Sequence, residues 1–467
     1  MTCIEHQPGY AAAVRDHGEP ARRVFNWDVS ADTFDYWSRV RSRRQAEVVL
    51  LISREQGRYL VHTKAFYLAG VYRLLSGGLR PQEDLLAGLR RELYEETGLE
   101  GRVQAFVAAE EHRFQRNGAT LPFCSFLFAI DAPEGPLADE LAARDVELVP
   151  FRCRNAGGER LPMDMLRYKL ESILARRRPV LLHANSLSMG RLAGPVAERL
   201  RLPSIAHLRD IIRLSAQAAA DLNRHGRLLA VSNATREYHI AGGIKAEKIH
   251  VLHNGVDLDE YRPRRPTGYL HRELGLPPGA MLIGAIGQIG LRKGQDLLLR
   301  AAATIADHFA NVHYLIVGQR NSEKDESRRF ENDLHSAAGG PLTGRVHFLG
   351  RRNDVASLLC ELTLLVHPAR QEPLGRVLLE AAASGTPVVA TAVGGTTEIF
   401  PPHAHAARIV AADNPAELAE TIVELVEDDR LRLNLGQAAR HRAETCFDAR
   451  TAAINLIKHY ESLADKS

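Results

Sequence analysis

The chain has 467 residues, of which 45% are hydrophobic and 25% charged, and its formal net charge is +3. That length exceeds one ordinary domain, and so small a net charge gives no compositional case for a nucleic-acid or membrane partner. No apolar run approaches the roughly eighteen residues a membrane-spanning helix needs.

Five cysteines, Cys3, Cys124, Cys153, Cys360 and Cys446, lie far apart and form no C-x-x-C pair. Such spacing argues against a disulfide framework or a structural zinc, and for a reducing compartment. The N-terminal stretch MTCIEHQPGYAAAVRDHGEP has no basic segment leading into an apolar one, so no signal peptide is expected and the expected location is cytoplasmic.

In chain order, residues 1–44 carry weak periodicity and read as a lead-in. AEVVLLIS from Ala46 predicts a strand, REQGRYLVHTK a turn at Gly57 and a second strand, and YRLLSGG a short strand entering a tight turn. Residues 83–97 have helical periodicity with Leu85, Leu86, Leu89 and Leu93 on one face, and Gly98 is placed to stop the helix. Strands are predicted at 103–109 and 121–130, and VELVPF is the last strand-like piece before the rhythm changes.

Beyond about residue 155 strands alternate with helical patterns: PVLLHAN, a helix over 189–201, PSIAHL, a helix around 211–224, RLLAVS, then IHVLHNGVD. YRPRRPTG, rich in Pro and Arg, reads as a linker. A second array runs through MLIGAIG, VHYLIVG, RVHFLG, LTLLVHP and TPVVATA, and the tail from Pro415 is helical. This alternation predicts parallel sheets built of βαβ units.

Two constellations carry chemistry. In GGLRPQEDLLAGLRRELYEETGL, residues 77–99, Glu92, Glu95 and Glu96 stand at i, i+3 and i+4. A helix puts all three carboxylates on one face, where they repel unless a cation joins them. Mg²⁺ or Mn²⁺ is such a cation and completes its shell with water or phosphate oxygens. The Gly77-Gly78 pair allows close backbone approach, and Arg91 is placed to hold Glu83 in a bidentate pair. These residues suggest a divalent-metal site for diphosphate chemistry; a solvated Glu-rich face is the plain alternative.

Gly77, Glu83, Arg91-Glu92-Leu93, Glu95-Glu96 and Gly98-Leu99 reproduce every fixed position of the Nudix box, so the region from 45 to about 150 resembles a Nudix hydrolase domain. The resemblance implies water attack on a nucleoside-diphosphate-linked compound, assisted by metal at Glu92, Glu95 and Glu96, with Glu83 and Arg91 as supporting pair. The general base is not fixed by the box; Glu110, Glu111 and Glu147 are candidates. Many members have a proline before the glycine pair, and this chain has none there.

The second constellation is QEPLGRVLLEAAASGTPVVATAVGGTTE, with Glu372 on a loop after a predicted strand and Glu380 eight residues on, along a helix starting near Leu374. The helix N-terminus suits a diphosphate, and carboxylates suit sugar and ribose hydroxyls. GQIGLRKG supplies Arg292 and Lys293 after another strand. A bare pair of glutamates is more often structural.

Taken in order, VSNATREYHIAGG, IHVLHNGVDLDEYRP, GQIGLRKGQDLLLRA, RVHFLG and PARQEPLGRVLLEAAASGTPVVATAVGGTTEI resemble the family 4 retaining glycosyltransferases of GT-B fold over residues 180–460. The resemblance implies Glu372 on the donor sugar, Glu380 on the ribose, Arg292 or Lys293 on the diphosphate, and backbone donors around Gly375. It implies no metal at this site. His207 stands where the family often has a histidine facing the sugar. Two departures are plain: Gly287 is followed by Gln288 where the family usually has arginine, and the strand leading into a Gly-rich loop with which members commonly begin is not found between about 151 and 180.

The expected architecture is α/β: a lead-in, 1–44; a Nudix α/β/α sandwich, 45–155; a shortened GT-B acceptor domain, 156–264; a nucleotide-sugar domain, 265–445; and a terminal helix, 446–467. The expected function is twofold, hydrolysis of a nucleoside-diphosphate compound and retaining transfer from a nucleotide-sugar to a small-molecule or glycan acceptor. The alternative is a hydrolase whose GT-B part binds or scaffolds without turnover; a weaker third is a Nudix part acting as a sensor.

Overall fold

Alternate residues Ala46, Val48, Leu50 and Ile52 of one strand are buried, so a period of two selects the face it turns to the core. The computed structural model describes residues 3–44, 46–54, 58, 59, 61, 62, 73–97, 101–131, 141, 144–149, 151, 153, 159–322 and 324–464. It divides into two units, residues 1–151 and 152–467.

The first unit is built on a mixed sheet. Its strands are β1 (Ala21–Asp28), β2 (Ala46–Arg54), β3 (Arg58–Tyr59), β4 (Val61–His62), β5 (Arg73–Gly78), β6 (Arg102–Arg116) and β7 (Ala119–Asp131). Their order is β1-β6-β7-β2-β5-β4, with β3 on β2. The helix Leu85–Thr97 buries Leu85, Leu86, Leu89 and Leu93 in one cluster with Val48, Leu50, Phe126 and Phe128. Each such side chain contributes roughly 1.5–3 kcal/mol.

Several expectations are corrected. Residues 1–44 are no lead-in: Tyr10–His17 and Ala31–Arg43 are helices, and β1 pairs in parallel with β6 from Ala21↔Ala108 to Asp28↔Gln115. The weak periodicity reflects an edge strand exposed on nearly every residue. Residues 146–149 form no strand. Cys124 is disulfide-bonded, its partner's side chain lying outside the described set, while Cys153, Cys360 and Cys446 are free. Distance along the chain did not bar that bond, because folding sets the separation in space. The turn at Gly57 and the stop at Gly98 lie outside the described residues.

The second unit holds two parallel sheets. The first has the order β11-β10-β9-β8, from β8 (Leu182–Ala184), β9 (Ser204–Leu208), β10 (Arg227–Ala230) and β11 (Ile249–Val251). Four strands make it the smaller sheet. The second has six: β12 (Met281–Ile286), β13 (Val312–Val317), β14 (Val346–Gly350), β15 (Leu364–His367), β16 (Val388–Thr391) and β17 (Arg408–Val410). Their order, β14-β13-β12-β15-β16-β17, is the doubly wound 3-2-1-4-5-6 arrangement.

Both faces of this sheet are covered: Leu282, Leu315 and Leu365 enter one cluster, Ile283, Ile316 and Leu364 the other. Burial on both faces is why these strands read as continuous apolar runs. The linker ends at Thr267 and Gly268, whose backbone N–H groups donate to Glu361 at 2.6 and 2.9 Å. The last helix, Ala449–Ala464, returns to the smaller sheet, where Tyr460 Oη lies 2.6 Å from His183 Nδ1.

Candidate functional sites

In the first unit β5 delivers Gly77 and Gly78 to a loop that enters the helix Leu85–Thr97. Arg91 is the hub. Its Nε and Nη2 donate to the two oxygens of Glu83, both at 2.7 Å. Nη1 donates to Glu92 at 2.7 Å and Glu95 at 2.9 Å, and Nη2 also reaches Gly78 O at 3.1 Å.

The guanidinium therefore joins carboxylates that would otherwise repel, a wider role than the expected pair with Glu83. The Arg91 bond holds the Glu83 carboxyl at about 2, against burial. The Glu83 bond in turn raises Arg91 above its ordinary value.

Glu92 is buried against β5. A Cβ on Gly77 would lie 1.7 Å from Glu92 Oε2, so only glycine admits the carboxylate there. Glu92 and Glu95 thus present oxygen donors within reach of one nitrogen, a hard-donor set that fits Mg²⁺ or Mn²⁺. Glu96 lies in the same helix, but its side chain is outside the described set; among the described residues no group of three His, Cys, Asp or Glu is arranged to hold a metal. Of the candidate bases, Glu111 is buried and accepts from Arg113 Nε at 2.7 Å, Glu110 lies 3.7 Å from His112, and Glu147 is exposed.

In the second unit the strand order reverses between β12 and β15, the point at which doubly wound sheets place a crevice outside the carboxyl ends of the strands. The loop after β12 carries Arg292 and Lys293; the loop after β15 carries Glu372. Lys293 Nζ donates to Glu372 Oε2 at 2.5 Å, and His367, ending β15, meets the same oxygen through Nε2 at 2.8 Å. Burial pushes the Glu372 carboxyl up, yet His367 and Lys293 together bring it down to about 2. Burial lowers His367, which stays neutral and donates from Nε2.

Glycines let the loops meet. Gly375, at φ 105°, starts the helix Arg376–Ser384, and a Cβ on Gly394 would lie 1.8 Å from Glu372 O. A Cβ on Gly318 would lie 2.0 Å from Gly287 O, so Gly287 shapes the turn after β12. Arg292 is exposed, and its carbonyl accepts from Arg370 N at 2.9 Å. Glu380 lies on the helix, with Arg376 at 3.6 Å, and burial raises its carboxyl.

The smaller sheet faces this crevice with residues that sequence reasoning missed. Arg209, just past β9, donates to Asn254 at 2.9 Å, to Asn185 at 2.7 Å and to His207 Nδ1 at 3.2 Å. Burial, and then the positive Arg376, pull Arg209 below its usual value. Glu398 accepts from the backbone of Asn233 at 2.8 Å and of Ala234 at 2.9 Å, and from His253 at 3.0 Å. It thereby ties the six-stranded domain to the N-terminus of helix Asn233–Ala241. A polar residue at the carboxyl end of a predicted strand was the available signal for Arg209 and His367.

His207 is 3% exposed, and burial, Arg209 and His183 together hold its imidazole down at about 3. The unfolded chain binds that proton near 6.5 and the folded chain does not, so stability falls as pH drops from 6.5 toward 3. One such group gives a slope of about 1.4 kcal/mol per pH unit. Urea unfolding between pH 5.5 and 4, inside the window those two values set, should show a slope shallower by about that amount in His207→Gln; equal slopes would refute the assignment.

Both units match models of known families. Residues 43–153 match the NUDIX domain model, 124–260 that of glycosyltransferase family 4, and 269–442 that of the group 1 glycosyl transferases. The first two overlap on β7, which pairs with β2 and β6 and so belongs to the first unit.

A D-inositol 3-phosphate glycosyltransferase of Corynebacterium urealyticum is 30% identical over 46% of this chain and 51% of its own length. One from Streptomyces bingchenggensis is 27% identical over 71% of this chain and 78% of its own length. The chain thus spans about half of the first relative. The crystal structure of Anabaena HepE in complex with UDP and glucose superimposes with a TM-score of 0.62 at 25% identity, covering 70% of this chain and 90% of that one. The chain therefore joins a NUDIX domain to a glycosyltransferase domain pair of GT-B fold. Among the described residues no helix is long and apolar enough to cross a membrane.

Proposed function

We propose that the chain has two activities: hydrolysis of a nucleoside-diphosphate-linked compound in the first unit, and retaining transfer from a nucleotide-sugar in the second. The observation that carries the transfer is the Lys293–Glu372–His367 cluster at the strand-order reversal, where a donor's diphosphate and sugar would meet; the hydrolysis rests on the carboxylates that Arg91 gathers at the turn of the first unit.

In the first unit Glu92, Glu95 and Glu96 would hold Mg²⁺ or Mn²⁺. Such an ion, when bound, supplies charge stabilisation and a more acidic water. Arg91 and the ionised Glu83 fix the turn that presents these carboxylates, and Gly77 leaves room for Glu92.

In the second unit Arg292, Lys293 and the N-terminus of helix Arg376–Ser384 bind the diphosphate and stabilise its charge as it leaves. Glu372, already bonded through Oε2, takes a sugar hydroxyl on Oε1, and Glu380 takes the ribose. Gly375 and its neighbours present backbone N–H groups, and Gly287 keeps the opposite loop close. Arg209 and His207 close the crevice from the smaller sheet. This site needs no metal. Since the HepE structure holds UDP, a UDP-sugar is the first donor to try, with an inositol phosphate, the substrate named in the curated relatives, as first acceptor.

The four-stranded acceptor-side sheet favours a second reading, in which the second unit binds a nucleotide-sugar without transferring it. Product analysis by mass spectrometry separates them. Nucleoside monophosphate formed only with Mg²⁺ is expected from the first unit. UDP released from a UDP-sugar with acceptor present, in EDTA as well, is expected from the second. No UDP from any donor–acceptor pair, despite donor binding, would establish the second reading.

A further inference from the structure

The first 42 residues precede the NUDIX match, yet they are built onto the loop of the box. Pro8 O accepts from Leu85 N at 2.8 Å, and Gln7 Nε2 donates to Glu83 O at 2.9 Å. Gly9, at φ 80°, sits so close to this loop that a Cβ would lie 2.1 Å from Asp84 Oδ2.

Between this extension and the loop lies a cavity of about 160 Å³, lined by His6, Gln7, Arg41, Arg80 and Gln82 among others. Among the described residues that line it, none is Asp or Glu. A pocket for a whole small-molecule ligand runs to roughly 300–1,000 Å³, so this one suits a single compact group. Two arginines, a histidine and two glutamines, one of them (Gln7) already giving one N–H to Glu83 O, make a donor-rich lining suited to an anion, and guanidinium forks match phosphate oxygens in shape and charge. Arg80 connects the cavity to the carboxylate turn, its Nη2 lying 3.5 Å from Glu95 Oε1.

We propose that this extension-built cavity is a phosphate-binding subsite, holding a phosphate group of the compound hydrolysed at the adjacent carboxylate turn. Arg41, from helix Ala31–Arg43, and Arg80, from the box loop, grip it from two sides. The extension then selects substrates that carry a further phosphate beyond the bond to be cleaved. The substrate assignment rests on the hydrolase reading; the anion site does not.

The test is calorimetric titration of the full chain with inorganic phosphate, alone and with saturating substrate. Lys293→Met serves as a background that weakens phosphate binding in the second unit. Arg41→Gln should weaken phosphate binding about tenfold and Arg41→Lys less, both with unchanged unfolding midpoints. Unchanged binding in Arg41→Gln would overturn the site, whether or not hydrolysis is ever observed.

If hydrolysis is observed, phosphate should compete with substrate, and Arg41→Gln should raise KM about tenfold with kcat unchanged. That rise should appear only for substrates with the extra phosphate. Phosphate bound equally well beside saturating substrate would show a separate free-phosphate site and overturn the substrate assignment.

Discussion

Glu92→Gln should lower Mg²⁺-dependent hydrolysis by on the order of 10³-fold, the scale of several kcal/mol of lost charge stabilisation. UDP binding to the second unit should be unchanged. The amide keeps Glu92's shape but loses its charge, and a hard cation prefers anionic oxygen. Fold damage is a competing explanation, because Glu92 also accepts from Arg91 at 2.7 Å. An Arg91 left with Glu83 and Glu95 remains well paired, so the unfolding midpoint should move little.

Gly77→Ala supplies an independent arm. Its Cβ, 1.7 Å from Glu92 Oε2, must displace the carboxylate without removing it. It should cost comparable activity through geometry. Hydrolysis above a tenth of wild type in Glu92→Gln, with the metal requirement intact, would remove Glu92 from the site.

The box was legible because its information is local: three carboxylates and four leucines share one helix, whose period of 3.6 fixes both faces. Arg91's reach to Glu83 needs more than that period: Glu83 precedes the helix, and the loop folds it back onto the arginine. The pairing of Lys293 with Glu372 was not legible, because 79 residues separate them and only the strand order brings their loops together. Their residue types were named from the pattern of the loops, but the contact was not.

Arg209, Glu398 and His367 escaped for a related reason: each acts alone in its segment and gains meaning from a partner on another strand. The first 44 residues were misread because an exposed edge strand lacks alternation, and its only guide is the neighbour it pairs with. Parallel strands covered on both faces were plain as apolar runs, but their order was not.

Glu372→Gln is expected to reduce sugar transfer by on the order of 10²–10³-fold, the loss seen when one preorganised polar group at a reacting centre is removed. The carboxylate is buried, and ionised only because Lys293 and His367 meet it on one oxygen. Neutralising it has two separable consequences. Toward substrate, a sugar hydroxyl loses its anionic acceptor, so binding of a UDP-sugar should weaken. UDP alone, which offers no sugar, should bind as before or more tightly, since Lys293 is released to the diphosphate.

Toward stability, the folded carboxyl sits at about 2 and the ordinary value is 4.5. Its contribution is therefore fully present above about 4.5 and disappears as pH falls toward 2. The variant should lose that part of the wild-type acid sensitivity. Removing one member of a buried pair is costly, roughly 3–5 kcal/mol, so unfolding midpoints must accompany the kinetics. A folded variant that transfers sugar at more than a tenth of the wild-type rate would show that Glu372 is structural. A folded variant that loses UDP and UDP-sugar binding alike would show that it organises the diphosphate loop and makes no contact with the sugar.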